Sequence, residues 1–339
     1  MSHEIEATDS FGEVRSNGEK AWHGLGVELP EGLTAWEAFE QIGLGWETEL
    51  LPLFATYQDA ENKRRQFKVE SHAVHVRSDT KASLGVVGAT YKPISNRTLA
   101  EFADALVGAD AAVTTETAGS LRGGRCIFSL VRLPKTIEVT SEDILKQYVL
   151  VRSSHDGSSA FQVYPTSIRV VCANTLRWSE RDAIRGVRFQ HTGDIGKKID
   201  QARLVLGFIS KETDRFEAMV RILAATHLKK DTVRQYFTSV YDATFGVVPE
   251  EGADKFAKQV EKRDAMLQRW SDNMDDARQS LKGISGTAWA AYNAISQWHE
   301  HERGRFGVVA DSDGRAHSNM FGISDQQKRI AFDQAFALA

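Results

Sequence analysis

The segment from Leu150 to Leu176, LVRSSHDGSSAFQVYPTSIRVVCANTL, gathers Arg152, His155, Asp156, Arg169, Cys172 and Asn174 onto two strand-like runs and the turns beside them. A histidine beside an aspartate is the raw material of a general base with an orienting carboxylate. Cys172 and Asn174 lie two apart, so on a strand they share a face. With His155 they would make a Cys-His-Asn nucleophilic set. Each reading has a plainer competitor. Adjacent residues on a strand point to opposite faces, which separates His155 from Asp156, and Asp156-Gly157 is a turn dipeptide. Cys172 is flanked by Val170, Val171 and Ala173, the setting of a core thiol. The pattern favours no catalytic assignment. His155, Asp156, Cys172 and Asn174 are kept as candidates in case they line one pocket.

The second kind of chemistry is anion binding. Ser120-Leu121-Arg122-Gly123-Gly124-Arg125 is a glycine-rich turn with two arginines. Its glycines let backbone approach an anion, and its guanidinium groups supply forked donors. It lacks the Gly-Lys-Ser/Thr ending of a phosphate-binding P-loop. The net charge of −4 hides an asymmetry: residues 1–60 hold 12 acids and 2 bases, whereas residues 119–190 hold 11 bases and 6 acids. Charge separated in this way suits a polyanion. Arg122, Arg125, Arg152 and Arg169, with Lys197 and Lys198 beyond, are the expected phosphate contacts. Phe161, Tyr164 and Trp178 are the expected stacking faces.

Composition excludes several classes. The chain has 339 residues, of which 42% are apolar and 26% charged, an ordinary globular balance. No apolar run approaches the ~18 residues of a membrane span. The polar, acidic start MSHEIEATDS is unlike a secretory signal. The expected setting is therefore the cytoplasm of a bacterial host. The two cysteines, Cys126 and Cys172, are expected as buried reduced thiols. No CxxC or HExxH spacing and no acidic cluster is present, so no metal or cofactor is expected. His299 and His301, two apart on a helix, do not share a face.

The elements that position these residues can be read in part. Thr34 with Glu37 three residues on forms a capping box for a helix to about Ile42. Trp46–Tyr57 reads as extended, and residues 67–91 read as strands around a Ser78–Lys81 turn. Asn96 is the expected cap of a helix to Val107. Strands follow at Val113–Thr117, Arg125–Leu133, Tyr148–Arg152, Ala160–Tyr164 and Ser167–Ala173. From Asp194 helical spacing takes over. It includes a helix at Lys230–Phe245 ending at Gly246, a long solvated one over 250–281 and one from Thr287 to His301, where Trp289, Tyr292 and Ile295 form a packing stripe. The fold expected is α+β. It has a mainly antiparallel sheet of six or seven strands with a flanking helix, followed by a helical C-terminal half. The expected domains are an acidic arm with a short helix over 1–60, a sheet core over 61–193 and a helical region over 194–339.

Ordered motifs also carry a resemblance. They are Trp22-His23 with Leu25-Gly26, Tyr91–Ile94 with Asn96-Arg97, Thr117–Arg125, Ser154–Ser158, Ile168–Leu176, His191–Gly193, and Thr287–Trp289 with Tyr292–Ala294. On these the chain resembles the phage/plasmid-like family called domain of unknown function 932. The resemblance implies a gene carried by phages, prophages and plasmids, with no settled activity. A looser analogy of fold class links it to single-strand annealing proteins of the Rad52 kind. The expected function is single-stranded DNA binding or annealing in recombination or replication, by a homo-oligomer rather than an enzyme. The alternatives are an enzyme built on the His155 region and a host-interaction or anti-defence protein working through its helical half.

Overall fold

The computed structural model describes residues 11–14, 27–30, 32–109, 113–159, 161–169, 174–176, 195–252, 255–305, 308–309, 318–319 and 322–339. The chain divides into two compact units, each assembled from several segments. Unit 1 comprises Met1–Arg132, Val149–Tyr164 and Ile184–Leu206; unit 2 comprises Leu133–Tyr148, Pro165–Ala183 and Gly207–Ala339. The fold is α+β, with mainly antiparallel sheets in the N-terminal half and helices in the C-terminal half.

The strands are β1 (Phe11–Val14), β2 (Val27–Leu29), β3 (Thr48–Gln58), β4 (Arg64–Arg77), β5 (Ser83–Gly88), β6 (Thr114–Leu121), β7 (Cys126–Thr140), β8 (Asp143–Ser154), β9 (Gln162–Arg169), β10 (Asn174–Leu176), β11 (Gly304–Arg305) and β12 (Val308–Val309). They do not form one sheet. Seven strands run in the order β10-β9-β8-β7-β6-β1-β2, while β3, β4 and β5 form a separate three-stranded sheet, and β11 pairs with β12. Phe11–Val14, which falls in the expected acidic arm, is a strand. It pairs antiparallel with β6 and parallel with β2. In β6, β7 and β8 long runs are buried on both faces, from Thr115 to Leu121, Cys126 to Val131 and Gln147 to Ser154. These strands therefore lack a clean in-and-out alternation, and their buried runs take in Glu116, Gln147 and Arg152 as well as apolar residues.

Two helices serve unit 1. In α1 (Ala35–Gln41) both halves of the capping box form: Thr34 Oγ1 accepts from the Glu37 backbone and Glu37 Oε2 accepts from the Thr34 backbone. The first turn is held further by Asp104 of α2 (Asn96–Ala109), whose Oδ1 accepts from Ala35 N at 2.5 Å. The cap of α2 is Ser95, not Asn96, because Ser95 Oγ accepts from Thr98 N at 3.1 Å. That frees the Asn96 side chain for the interior.

Unit 2 is built on the part of α3 (Ile195–Ala225) from Gly207 onward, with α4 (Lys230–Phe245), α5 (Phe256–Met274), α6 (Ala288–Gln297) and α7 (Ile323–Phe336). Its core joins Phe216, Val220 and Leu223 of α3 to Phe237, Trp270, Trp289, Tyr292 and Phe332. Every residue of α6 is buried, so the expected packing stripe is a helix enclosed all round. Trp289 Nε1 donates to Asp143 Oδ2 at 2.9 Å, which satisfies the one polar atom of that indole. No described helix is long and apolar enough to cross a membrane.

Candidate functional site

His155 and Asp156 lie just past the end of β8, within unit 1, where segments distant in the sequence come together. The His155 backbone N donates to Arg125 O at 2.7 Å, tying the Ser154–Ser158 turn to the glycine-rich turn. The imidazole Nε2 donates to Asn96 Oδ1 at 2.8 Å, and Asn96 is oriented for this because its Nδ2 donates to Leu44 O at 2.8 Å. His75 of β4 approaches from a third direction and its Nδ1 donates to His155 O at 2.6 Å. Tyr91 Oη donates to Ser154 O at 2.9 Å. The Trp46 ring lies 5.4 Å from the His155 ring and carries the Arg77 guanidinium 4.6 Å above it. Three of the motifs behind the family resemblance thus meet at His155 and its backbone neighbour Ser154.

The electrostatics make this a structural hub. Burial, with the adjacent His75 adding to it, pushes the His155 pKa down to about 3. Burial also lowers His75. Both rings are fully enclosed, so neither offers a base to a substrate at neutral pH. Asp156 is engaged elsewhere, its Oδ1 accepting from Ser158 N at 2.9 Å. Burial pushes its carboxyl up, but hydrogen bonds from Ser158 and Ser154 and the charge of Arg122 bring it below the ordinary range. Arg122 Nη1 reaches Asp156 Oδ2 at 3.3 Å.

Two glycines are required by close approach. Gly124, at φ +87°, faces Trp46, where a Cβ would come within 3.0 Å of Cζ2. Gly85 of β5 lies against Asp156, and a Cβ there would stand 2.7 Å from Asp156 Cα. The clash is with backbone, which cannot swing aside. Gly85→Ala should therefore destabilise unit 1 by about 1–3 kcal/mol, seen as a lower midpoint in thermal denaturation followed by near-ultraviolet circular dichroism. An unchanged midpoint would mean that β5 and the Ser154–Ser158 turn do not touch.

The remaining expected residues scatter. Arg122 and Arg125 are exposed on the turn between β6 and β7. Arg152 is only 6% exposed: its Nε and Nη2 donate to Gln162 Oε1 at 3.0 and 2.8 Å, and its guanidinium covers the Tyr164 ring at 4.9 Å. It serves the interior of the β8–β9 pair, and that face of Tyr164 is taken. Phe161 is buried against Phe102, with centroids 5.5 Å apart, so it offers no open ring. Arg169 and Asn174 are register partners on β9 and β10. Lys197 and Lys198 lie near the start of α3. Cys172 and Trp178 lie outside the described residues. Cys126 is buried, on β7. Among the described residues no three His, Cys, Asp or Glu side chains are grouped to hold a metal.

Sequence reasoning missed the most exposed feature of unit 1. β3 and β4 form a ribbon in which every residue from Ala60 to Lys68 is exposed, as are Phe54 and Thr56–Gln58. Tyr57 is 52% exposed, Phe67 55% and Phe54 49%. Lys63, Arg64, Arg65 and Lys68 stand among these rings. The signal was present as the interleaved run Lys63-Arg64-Arg65-Gln66-Phe67-Lys68. It falls between residues 1–60 and residues 119–190, the two stretches in which the charge asymmetry stands out.

Comparison with known proteins places these features. The UPF0380 proteins YfjQ and YafZ of Escherichia coli (strain K12) are each 30% identical to the chain over 95 residues, which are 28% of this chain and 33% of the relative. The chain thus spans about a third of the length of those curated relatives. No solved structure matches it. The model of the family described as Domain of unknown function (DUF932) matches residues 83–329. That span includes the Tyr91–Arg97, Thr117–Arg125 and Ser154–Ser158 segments that meet at His155, and it begins after the ribbon. The chain belongs to that family, Domain of unknown function (DUF932).

Proposed function

We propose that the protein binds single-stranded nucleic acid and serves recombination or replication of a phage or other mobile element. The observation that supports this reading is a set of exposed cations in unit 1 not already neutralised. Lys63 and Arg64 at the ribbon turn, and Arg125 beside Gly124, have no acidic partner among the described residues. Phosphates are the natural counter-charge for such groups, and each phosphate engaged releases condensed counterions. The acidic residues of the first 60 positions offer a competing polyanion, either within the subunit or from a second copy. The alternative of an enzyme at His155 draws no support from a ring that is enclosed and neutral.

The test is a fluorescence anisotropy titration of the full chain with a labelled oligothymidylate at low and at physiological salt. Binding should weaken steeply with salt. The variant Lys63→Ala/Arg64→Ala/Arg125→Ala should flatten the log–log salt dependence by about 0.7 for each phosphate it no longer neutralises. No binding at low salt removes the proposal.

A further inference from the structure

We infer that the tip of the β3–β4 ribbon is a base-stacking site, in which Tyr57 and Phe67 hold unpaired bases while the neighbouring cations hold the phosphates. The inference rests on the nucleic-acid reading and assigns the residues that would distinguish a single strand from a duplex.

The register carries it. Tyr57 pairs with Arg65 and Ala55 with Phe67, so these four side chains share one face of the ribbon. The two rings are diagonal neighbours, edge to face with centroids 6.1 Å apart. The residue opposite Phe67 is an alanine, and with Tyr57 meeting it edge to face the ring stays 55% exposed. Arg65 is held beside the pair by Asp59, at 2.8 Å. The opposite face carries a similar mixture. Gln58 pairs with Arg64, Thr56 with Gln66 and Phe54 with Lys68, which places Phe54 on the same face as two cations.

The acids of the ribbon are mostly occupied. Asp59 accepts from the backbone of Glu61 and Lys63, at 3.1 and 2.8 Å, as well as from Arg65. Glu70 pairs with Lys68 at 2.8 Å. Glu61 is the acid left over at the tip, against the cations Lys63 and Arg64. Three large rings held in water on a two-stranded ribbon are not explained by folding, because they bury little of their area there. An apolar partner would cover Phe54 but strand Arg64, on the same face, in a dry interface. A single strand answers both halves, since every base has a π-face and every nucleotide a charge. A duplex keeps its bases stacked on one another and offers only its phosphates.

The experiment compares the wild-type chain with Tyr57→Leu/Phe67→Leu, and with Tyr57→Phe as a ring-retaining control. Each is titrated with the oligothymidylate and with a duplex of equal length. Sedimentation without nucleic acid reports self-association, and circular dichroism confirms that these exposed substitutions leave the fold intact. The double leucine variant should lose roughly 10–100-fold in single-strand affinity, with duplex affinity and salt dependence unchanged and Tyr57→Phe close to wild type. Equal losses on both ligands, or no loss on either, would overturn the stacking site while leaving nucleic-acid binding intact. A drop in sedimenting mass for the leucine variant would overturn it in favour of a second copy of the chain as the occupant. A wild-type chain that binds neither ligand would fail the nucleic-acid reading itself, and the stacking site with it.

Discussion

Glu300→Gln alone should destabilise the helical unit by roughly 3–5 kcal/mol, although it alters no surface and removes almost no volume. Glu300 is 3% exposed and its carboxylate pairs with the Lys328 ammonium, which is 0% exposed. The pair is set up by a π-helical turn, Trp298–Glu302, that follows α6. Such a turn lets a helix present a residue that regular winding would turn elsewhere. Lys328 comes from α7, beside Ala331 and Phe332 of the core. Surrounding bonds fix the frame: Arg303 Nη1 donates to Ser324 Oγ at 2.6 Å and Gln327 Oε1 at 2.7 Å, and Asn319 Nδ2 donates to His299 O at 3.2 Å. Removing one charge leaves the other in a medium that solvates it poorly, and that loss exceeds the net worth of the pair. Lys328→Met should be comparably damaging. Glu300→Met/Lys328→Met together should recover most of the loss, and an increase of about 1–4 kcal/mol over wild type has physical precedent for such swaps. Urea denaturation followed by tryptophan fluorescence reads this directly, since Trp270, Trp289 and Trp298 all lie in this unit. A single variant within the error of wild type would show that water reaches the pair.

Local order in this fold was legible because it obeys local rules. The capping box at Thr34 and the stop at Gly246, where φ is +93°, were both visible in the sequence, because each needs only neighbouring residues. Asn96 shows where that reasoning stops. An asparagine before an apolar run is a good cap, but Ser95 is another, and the serine fills the role. What decided it was a carbonyl at Leu44 and an imidazole at His155, both far away in the chain. Pairings of that range are set by tertiary packing, and the same holds for the strand order that takes Phe11–Val14 to β6. Lys328 was equally hidden. A lysine at helical spacing reads as a solvated residue, and only its buried partner says otherwise. The candidate site divides the same way. Arg122 and Arg125 are exposed as a glycine-rich turn implies, whereas Arg152, in a run of apolar and small residues on β8, is drawn inside by Gln162. The ribbon failed for a different reason. Its turn joins β3 to β4 where the acidic segment gives way to Lys63–Lys68, and these cations fall outside both stretches of lopsided charge, residues 1–60 and 119–190.

Acidification from pH 7 to pH 5 should destabilise unit 1 by roughly 2 kcal/mol through His155 alone. An unfolded imidazole takes its proton near pH 6.5, whereas the folded His155 resists until about pH 3. Between those values the unfolded chain binds the extra proton, so stability rises with pH at up to about 1.4 kcal/mol per unit. The contribution is fully present above pH 6.5, declines as the pH falls and levels off near pH 3. The ring has no room for the charge. Its Nε2–H already serves Asn96 Oδ1, its other nitrogen is enclosed, and His75 stands 5.3 Å away, where a second positive charge would repel it. Asp156 favours the proton but is itself engaged with Ser158 and Arg122. His75, also lowered by burial, acts in the same direction. Carboxylates do not imitate the effect. Asp79, held at about 2 by Arg77, loses its contribution only below the ordinary carboxylate range, and Asp104, raised by burial, works with the opposite sign. His299, enclosed in unit 2 and pushed well down by burial, gives the helical unit an acid sensitivity of the same sign, so the share of unit 1 is read from the difference between wild type and a His155 variant. Urea titrations across this interval, on wild type and on His155→Gln, separate the causes. The glutamine amide can still donate to Asn96 but does not titrate, so its stability should be lower throughout and less dependent on pH. A variant that keeps the wild-type slope would place the acid sensitivity elsewhere in the chain.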